Sequence, residues 1–513
     1  MASVCVISGA VHGLEGLPIE VEVDATPGLH FFNIVGLPDK AVDESKDRIG
    51  AAIRNSGFIA PKQKNQRIIV NLAPADIKKE GSGYDVPVAL GYLLATKQIR
   101  FNPEKRLFVG ELSLDGSLRR LNGVLPIVAM AKSKGYREVV LPTDNAQEAS
   151  ILAGIDIIGV ANLSELIAYV EGKQKIHPVA PLDFSQYAQD QTKSQDFEML
   201  HIKGQESAKR ALVIAASGGH NILMHGPPGS GKTLLAKALA GIMPSMNHEE
   251  AIEVTKIYSI SGNTSNTPII TQRPFRNPHH TTSAVAIVGG GSWPKPGEIT
   301  LAHRGVLFLD EFPEFPRSVI EALRQPMEQG EVTVSRAASS VKFPARFMLV
   351  AAMNPCPCGN YGDEVKACVC SPGSIERYQK KLSGPILDRI DIQIPVAREK
   401  YEKLSSRDST GPHPLEMRAT IAKARALQKA RFLGTGSITN SEMGPKEIQK
   451  YCALTTDAEQ MMKKIMTAHN LSGRGYHKIL KLARTIADIA NSSEISVPHV
   501  AEATSYRIQA TTV

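Results

Sequence analysis

The chain has 513 residues, 42% of them hydrophobic and 21% charged, so most of it folds around cores and its length fits three or four domains. A net charge of +8 at pH 7 favours an anionic partner, and six cysteines are too few for a disulfide scaffold. The opening MASVCVISGA has neither a basic start nor a long apolar run, and no stretch reaches the ~18 apolar residues of a membrane span. The expectation is a cytoplasmic protein without export signal or membrane segment.

Residues 1–172 read as mixed α and β. Short β-rich runs at 68–70, 139–141 and 155–160 alternate with helical spacing at 86–95 and 127–134. From 173 to 198 the chain turns polar around Pro178 and Pro181 and is rich in Gln, Ser and Asp, which is a linker signature.

Residues 199–396 alternate strand, loop and helix. A strand-like run at 221–225 leads into Gly226, Pro227, Pro228, Gly229, Ser230, Gly231, Lys232 and Thr233, and a helical pattern starts at Leu234. Every fixed position of a phosphate-binding loop is there, in the strand–loop–helix context such a loop needs. Glycines let backbone N–H groups turn toward phosphate oxygens, and the helix N-terminus adds positive dipole. Lys232 is expected at the β and γ phosphates of ATP and Thr233 at Mg²⁺. The competing explanation is a chance glycine-rich turn.

Downstream, 271–296 is rich in Pro, Gly and basic or imidazole groups (Arg273, Arg276, His279, His280, Lys295), which marks a working loop or a disordered excursion. Gly305-Val306-Leu307-Phe308-Leu309-Asp310-Glu311 then reads as a buried strand with acids at its end. Asp310 is expected to hold Mg²⁺, and Glu311 to orient or deprotonate the attacking water. Runs at 331–334 and 341–343 read as two strands joined by a polar turn, with Arg336 and Lys342 near the tip. An apolar strand at 347–352 ends in Met353-Asn354-Pro355. There Asn354 either bridges the γ phosphate and the water or simply forms a turn before proline.

Cys356-Pro357-Cys358 and Cys368-Val369-Cys370 flank nine residues that include Gly359, Gly362 and Asp363. Two thiolate pairs complete a tetrahedral Zn²⁺ site, and a loop too polar for its own core needs a staple. The C-x-C spacing is tighter than the common C-x₂-C, so plain reduced thiols and a redox switch remain as alternatives. A second polar break, 397–414, precedes an Ala/Lys/Arg-rich tail, 415–513, where Ile479, Ala483, Ile486 and Ala490 share a helical face.

The segments GPPGSGKT, RPFRNPHHTTSAVAIVGGG, GVLFLDEFPEF, ALRQPMEQGEVTVSRA, AAMNPCPCGN, SGPILDRIDI and SGRGYHKILKLARTIADI resemble the magnesium-chelatase-like branch of AAA+ ATPases. Over its whole length the chain looks like the ComM (YifB) family of bacterial competence proteins. The fold this implies is α/β: an AAA+ P-loop core with a C-terminal helical lid, preceded by an α+β domain. The resemblance makes Asn354 the first sensor, Arg474 the second sensor, and Arg389 an arginine finger reaching a neighbouring subunit's ATP. It implies a homo-oligomer, a hexameric ring, in which the hairpin carrying Arg336 and Lys342 touches DNA phosphates. Solvated charges on an exposed hairpin are the other explanation for those two residues. The implied activity is a DNA helicase that drives branch migration and integrates incoming DNA. A chelatase-type subunit that remodels a protein complex is the alternative.

The stretches NLAPADIKKEGSGYDVPVALGYLLA and VGELSLDGSLRRLNGVLPIVAMAKSKGYREVVLP are similar to the proteolytic domain of Lon proteases. Where those carry the nucleophilic serine this chain has Gly83, beside Ser82, and where they carry the activating lysine it has about Leu125. A serine without a positioned base is a poor nucleophile, so a proteolytically inactive Lon-like domain is expected.

Overall fold

The computed structural model describes residues 3–79, 81–193, 198–264, 267–291, 294–336, 339–363, 366–399 and 413–508, and of residues 189–193, 336, 339 and 508 the backbone alone. It divides into two compact units. The first comprises Met1–Asp190 with His248–Ile270, and the second Gln191–Asn247 with Thr271–Val513.

In the first unit, strands β1 (Val4–His12), β2 (Glu15–Pro27), β3 (Phe31–Val35), β4 (Gln66–Ala73) and β5 (Arg106–Phe108) join β8 (Glu138–Pro142) and β9 (Asp156–Val160). They form a seven-stranded mixed sheet of order β3-β4-β2-β1-β5-β8-β9, and β6 (Glu111–Leu112) pairs with β7 (Leu118–Arg119) apart from it. The strand period of two splits β8 between two cores. Val140 packs with one and Val139 and Leu141 with the other, so both sheet faces are covered. Helix Asp85–Ala95 serves the first core and Val124–Ser133 the second. Each is apolar nearly all round, as a fully buried helix must be.

The grouping of His248–Ile270 with this unit has no counterpart in the sequence reading, which runs 199–396 as one core. Helix His248–Ser261 and its extension are held there by polar contacts. Ser259 O accepts from Gly123 N at 3.0 Å, and Arg120 Nη2 donates to Thr264 O (2.9 Å), Thr264 Oγ1 (2.9 Å) and the buried Glu148 (3.1 Å). The polar 173–198 stretch also differs from the expected linker, because 184–193 within it form a helix, Phe184–Lys193.

The second unit is built on an all-parallel sheet of order β11-β14-β17-β10-β18, from β10 (Ile222–His225), β11 (Phe275–Arg276), β14 (Val306–Leu309), β17 (Met348–Met353) and β18 (Ile392–Pro395). Continuous apolar runs such as Val-Leu-Phe-Leu in β14 are what a sheet buried on both faces requires. Two hairpins stand off it: β12 (Gly289–Gly290) with β13 (Lys295–Pro296), and β15 (Glu331–Arg336) with β16 (Ser339–Pro344). Helices Pro414–Arg431, Pro445–Tyr451, Thr456–Ala468, Gly473–Ile489 and Val497–Ile508 form the C-terminal helical part, and their apolar faces merge with the sheet's core. Ile479, Ala483 and Ile486 are buried there as their spacing predicts. Ala490 instead caps its helix and is exposed, because the helix ends one residue earlier.

Candidate nucleotide site

The first strand of the parallel sheet, β10, lies between the fourth, β17, and the fifth, β18, so chain order reverses beside it. The crevice at the carboxyl ends of strands around such a point is where open α/β sheets bind ligands. The loop 226–231 leaves β10 there and enters helix Lys232–Ile242. A Cβ on Gly226 would lie 2.1 Å from Val396 O, so only glycine lets the loop turn against β18. Gly229 (φ 77°) and Gly231 (φ 91°) take left-handed conformations that glycine alone adopts freely.

Lys232 is buried with its three donors on Gly226 O (2.8 Å), Pro227 O (2.9 Å) and Asn354 Oδ1 (3.2 Å). Burial lowers its pKa, which Asp310 and Glu311 partly offset. Ser230 Oγ is buried with no hydrogen-bond partner among the described residues. Pro228, Gly229, Ser230, Gly231 and Leu234 line a cavity of about 460 Å³. A buried cation, an orphaned hydroxyl and a helix N-terminus facing open volume suit an anionic ligand such as a nucleotide's phosphates.

Thr233 Oγ1 donates to Asp310 Oδ2 at 2.8 Å, which joins the two groups expected at Mg²⁺. Oxygen donors from a hydroxyl and a carboxylate fit that hard cation. Asp310 follows β14 directly and receives Glu311 N on its other oxygen at 2.9 Å. Glu311 sits at φ 51°, a left-handed conformation unusual for a non-glycine residue and one that concentrates at functional sites. Its carboxylate lies 3.3 Å from His280 Nδ1, and the His280 ring lies against His279 with ring centroids 4.1 Å apart and planes tilted by 33°. Asn354 follows β17, whose observed start is Met348 rather than 347.

Two features escaped the sequence reading. One is His280, counted above only among the basic residues of 271–296; nothing in spacing brings that loop to Glu311. The other is the far wall of the cavity, formed by His201, Ile202, Lys203 and Gln205. Its signal was Gly204-Gln205 just before helix Glu206–Gly218. Both residues are left-handed, and Gln205 is fastened through Glu399 Oε1 (2.7 Å) and Ala397 O (2.7 Å).

The remaining expected residues lie elsewhere. Arg389 and Arg474 line a separate cavity of about 280 Å³ with Lys478, Lys481, the acidic Glu328 and Asp388, His477 and a set of apolar residues. Arg389 pairs with Glu328 and donates to Pro385 O at 2.6 Å. On the β15–β16 hairpin, Val332, Val334, Val341 and Phe343 are buried. Lys342 points out and pairs with Glu331 at 2.7 Å, while the Arg336 side chain lies outside the described residues. The Sγ atoms of Cys356, Cys358, Cys368 and Cys370 all lie within 4.8 Å of one another, a donor set that could hold a metal ion. In the first unit Ser82 donates to Glu111, and Leu125 is fully buried.

Family models cover most of the chain. The magnesium chelatase subunit ChlI model matches residues 198–404, the "Subunit ChlI of Mg-chelatase" model 21–145, and the ChlI C-terminal model 413–507. With the parallel P-loop sheet, they place the protein in the magnesium-chelatase-like AAA+ class. Competence protein ComM of Haemophilus influenzae is 42% identical over 508 residues, 99% of this chain and 98% of the relative. YifB of Salmonella typhimurium is 40% identical over 509 residues, 99% and 97% of the two chains. The 38 kDa magnesium-chelatase subunit of Rhodobacter capsulatus is 28% identical over 252 residues, 45% of this chain and 69% of the relative. The chain belongs to the ComM (YifB) family. Among the described residues no helix is long and apolar enough to cross a membrane.

Proposed function

We propose that the protein is an ATP-driven DNA motor that works as a ring, most simply a hexamer, in the cytoplasm, driving branch migration and integration of incoming DNA. The observation that carries the ATPase part is the meeting of Lys232, Thr233, Asp310 and Asn354 at the carboxyl ends of β10, β14 and β17. Lys232 releases its loop carbonyls and takes the β and γ phosphates of ATP, and the loop amides hold the rest. Thr233 and Asp310 would hold Mg²⁺, whose charge would help neutralise the phosphates of the bound ATP. Glu311 accepts a proton from the attacking water, and His280 steadies the carboxylate when it is not doing so. Asn354 fixes that water's position.

Arg389 and Arg474 share one cavity that contains no residue of the phosphate loop. This supports a division in which both arginines face a neighbouring subunit's nucleotide, and hydrolysis therefore requires assembly. The DNA part is supported by the likeness to a Haemophilus competence protein, the positive net charge and the outward-pointing Lys342 of the hairpin. Lys342 and Arg336 are its proposed phosphate contacts. In this reading Lys342 exchanges Glu331 for a phosphate, and contact is independent of sequence. The four cysteines hold a structural Zn²⁺, and the Lon-like unit, without serine at 83 or lysine at 125, serves as scaffold.

The test is the ATPase rate with and without single-stranded, double-stranded and branched DNA at low and moderate salt. Strong stimulation that fades with salt is expected. Indifference to every DNA would favour the alternative, a chelatase-type subunit that remodels a protein complex.

A further inference from the structure

The cysteine loop is wired into the nucleotide site at three points. Cys356 is the second residue after Asn354, whose Oδ1 accepts from Lys232. Gly359, at φ 81°, packs on the phosphate loop so closely that an added Cβ would lie 2.6 Å from Pro228 Cδ. Asp363, its side chain almost wholly buried, pairs with Arg398 Nε at 3.3 Å, and Arg398 Nη2 donates to Pro228 O at 3.4 Å. Pro228 and Arg398 both line the 460 Å³ cavity.

The loop's own geometry is that of a metal knuckle. Three of the Sγ–Sγ separations are 3.4, 3.7 and 3.6 Å. Four sulfurs at 2.3 Å from one tetrahedral Zn²⁺ stand about 3.8 Å apart, whereas a disulfide brings sulfurs to about 2.0 Å. Tyr361 N and Cys370 N donate to Cys356 Sγ (3.3 Å) and Cys368 Sγ (3.5 Å), the outer-shell bonds that orient thiolate ligands. Cys356 is buried, but Val369 between the second pair is 86% exposed and Tyr361 46%, so the loop has little apolar core of its own. Its shape therefore depends on what the thiolates bind.

We infer that the Cys356–Cys370 knuckle is a metal-dependent control of the nucleotide site: Zn²⁺ on the four thiolates presses Gly359 and Asp363 into position and so holds Pro228, Arg398 and Asn354 in their nucleotide-binding arrangement. The inference rests on the proposed zinc site and adds the coupling. Metal loading sets nucleotide affinity. The knuckle does more than keep a loop folded.

The experiment uses the full chain. Zinc is counted by elemental analysis, and a fluorescent ATP analogue is titrated before and after stripping with a thiol-reactive mercurial and chelator, then after adding zinc back with thiol reductant. One zinc per chain, at least tenfold weaker binding in stripped protein, and recovery on reloading are expected. Two variants keep the ligands and test the coupling alone. Gly359→Ala, crowded against Pro228, and Asp363→Asn, which releases Arg398, should each retain one zinc yet bind the analogue at least threefold more weakly. If zinc is bound but stripping and both variants leave affinity within twofold, the coupling is wrong and the zinc site stands. Less than half a zinc per chain, in protein purified without chelator, overturns the site and the inference with it.

Discussion

Each unit of this molecule presents a glycine-bearing loop before a helix, with a buried lysine and a hydroxyl beside a carboxylate, and the two differ in how far those groups satisfy one another; the less satisfied is called the open loop and the other the closed one. Before helix Lys232–Ile242, Thr233 meets Asp310, Lys232 rests on loop carbonyls, Ser230 Oγ has no partner among the described residues, and a 460 Å³ cavity lies in front. Before helix Asp85–Ala95, the polar groups answer one another. Lys79 is fully buried with its ammonium on Pro74 O, Ser82 donates to Glu111, and Glu111 pairs with Arg119 at 3.6 Å. Asp85 accepts from Arg48 Nε (2.9 Å), Arg48 Nη2 (3.1 Å) and Leu112 N (3.1 Å). Similar residue types make a candidate site when they face space and a scaffold when they satisfy each other.

The sharpest way to break this comparison is to disarm the open loop. Lys232→Ala should leave the fold intact and bring ATP hydrolysis to background. Arg389→Ala should cost about 10³–10⁵-fold in kcat, the range of an arginine finger. If Arg389 acts on a neighbour, an equal mixture of the two inactive proteins should regain part of the wild-type rate in steady-state assays, because mixed rings contain some intact interfaces. Wild-type hydrolysis by Lys232→Ala would make the open loop as inert as the closed one.

Next in size is Glu311→Gln. Losing a general base costs about 10²–10⁴-fold in kcat, while the analogue's Kd should change little because Lys232, Thr233 and the loop amides remain. A large loss of binding instead would mean that the left-handed turn at Glu311 supports the loop's shape.

Local chemistry explains which parts of this site could be read in advance. The phosphate loop and β14 were legible because each is a contiguous string whose geometry follows from its own glycines and apolar residues. Asp310 and Asn354 were legible because they end strands. His280 was not, since only the tertiary path of the 271–296 loop brings it to Glu311, and the cavity wall at His201 and Ile202 depends on how the 198–205 segment and helix Glu206–Gly218 dock against helix Lys232–Ile242 and β18. Arg389 and Arg474 could be named only by resemblance, and their shared cavity arises from a helix 85 residues beyond the finger, a distance (474 − 389) that no periodicity spans. The docking of His248–Ile270 in the first unit was equally silent, because its polar anchors Arg120, Glu148 and Thr264 are remote in sequence.

A third test sharpens the comparison through stability. Asp391, just before β18, is buried, but Lys478 Nζ at 2.7 Å and His220 Nδ1 at 3.4 Å stand beside it. Burial pushes its carboxyl up, yet those two neighbours outweigh it and hold the pKa well below the ordinary carboxylate range. A depressed folded pKa gives stability that is present above the unfolded value of about 4 and lost as pH falls through the folded value. Asp391→Asn leaves Lys478 buried without its counter-charge and should cost about 3 kcal/mol at pH 7 by chemical denaturation. The difference from wild type should hold down to about pH 4 and shrink only in stronger acid. A gap that closed already between pH 7 and 5 would assign the effect to His220 instead.

The closed loop makes the opposite prediction, and a smaller one. Burial raises the Asp85 pKa to about 6 despite Arg48 and the Leu112 amide. Here the folded state holds its proton longer than the unfolded chain. As pH rises from about 4 to 6 the unfolded carboxyl ionises first, the folded state binds more protons, and stability falls. Asp85→Asn lacks that titration. Its unfolding free energy relative to wild type should therefore drift in the variant's favour by about 2 kcal/mol between pH 4 and 7, whatever the offset from losing one Arg48 contact. Differential scanning of the two proteins across that range reads the drift directly. A drift the other way would show that the Arg48 pair keeps Asp85 ionised with a depressed pKa. The Arg48–Asp85 pair would then be a charged one like Lys478–Asp391, and the claim that the closed loop's groups merely satisfy each other would have to be withdrawn.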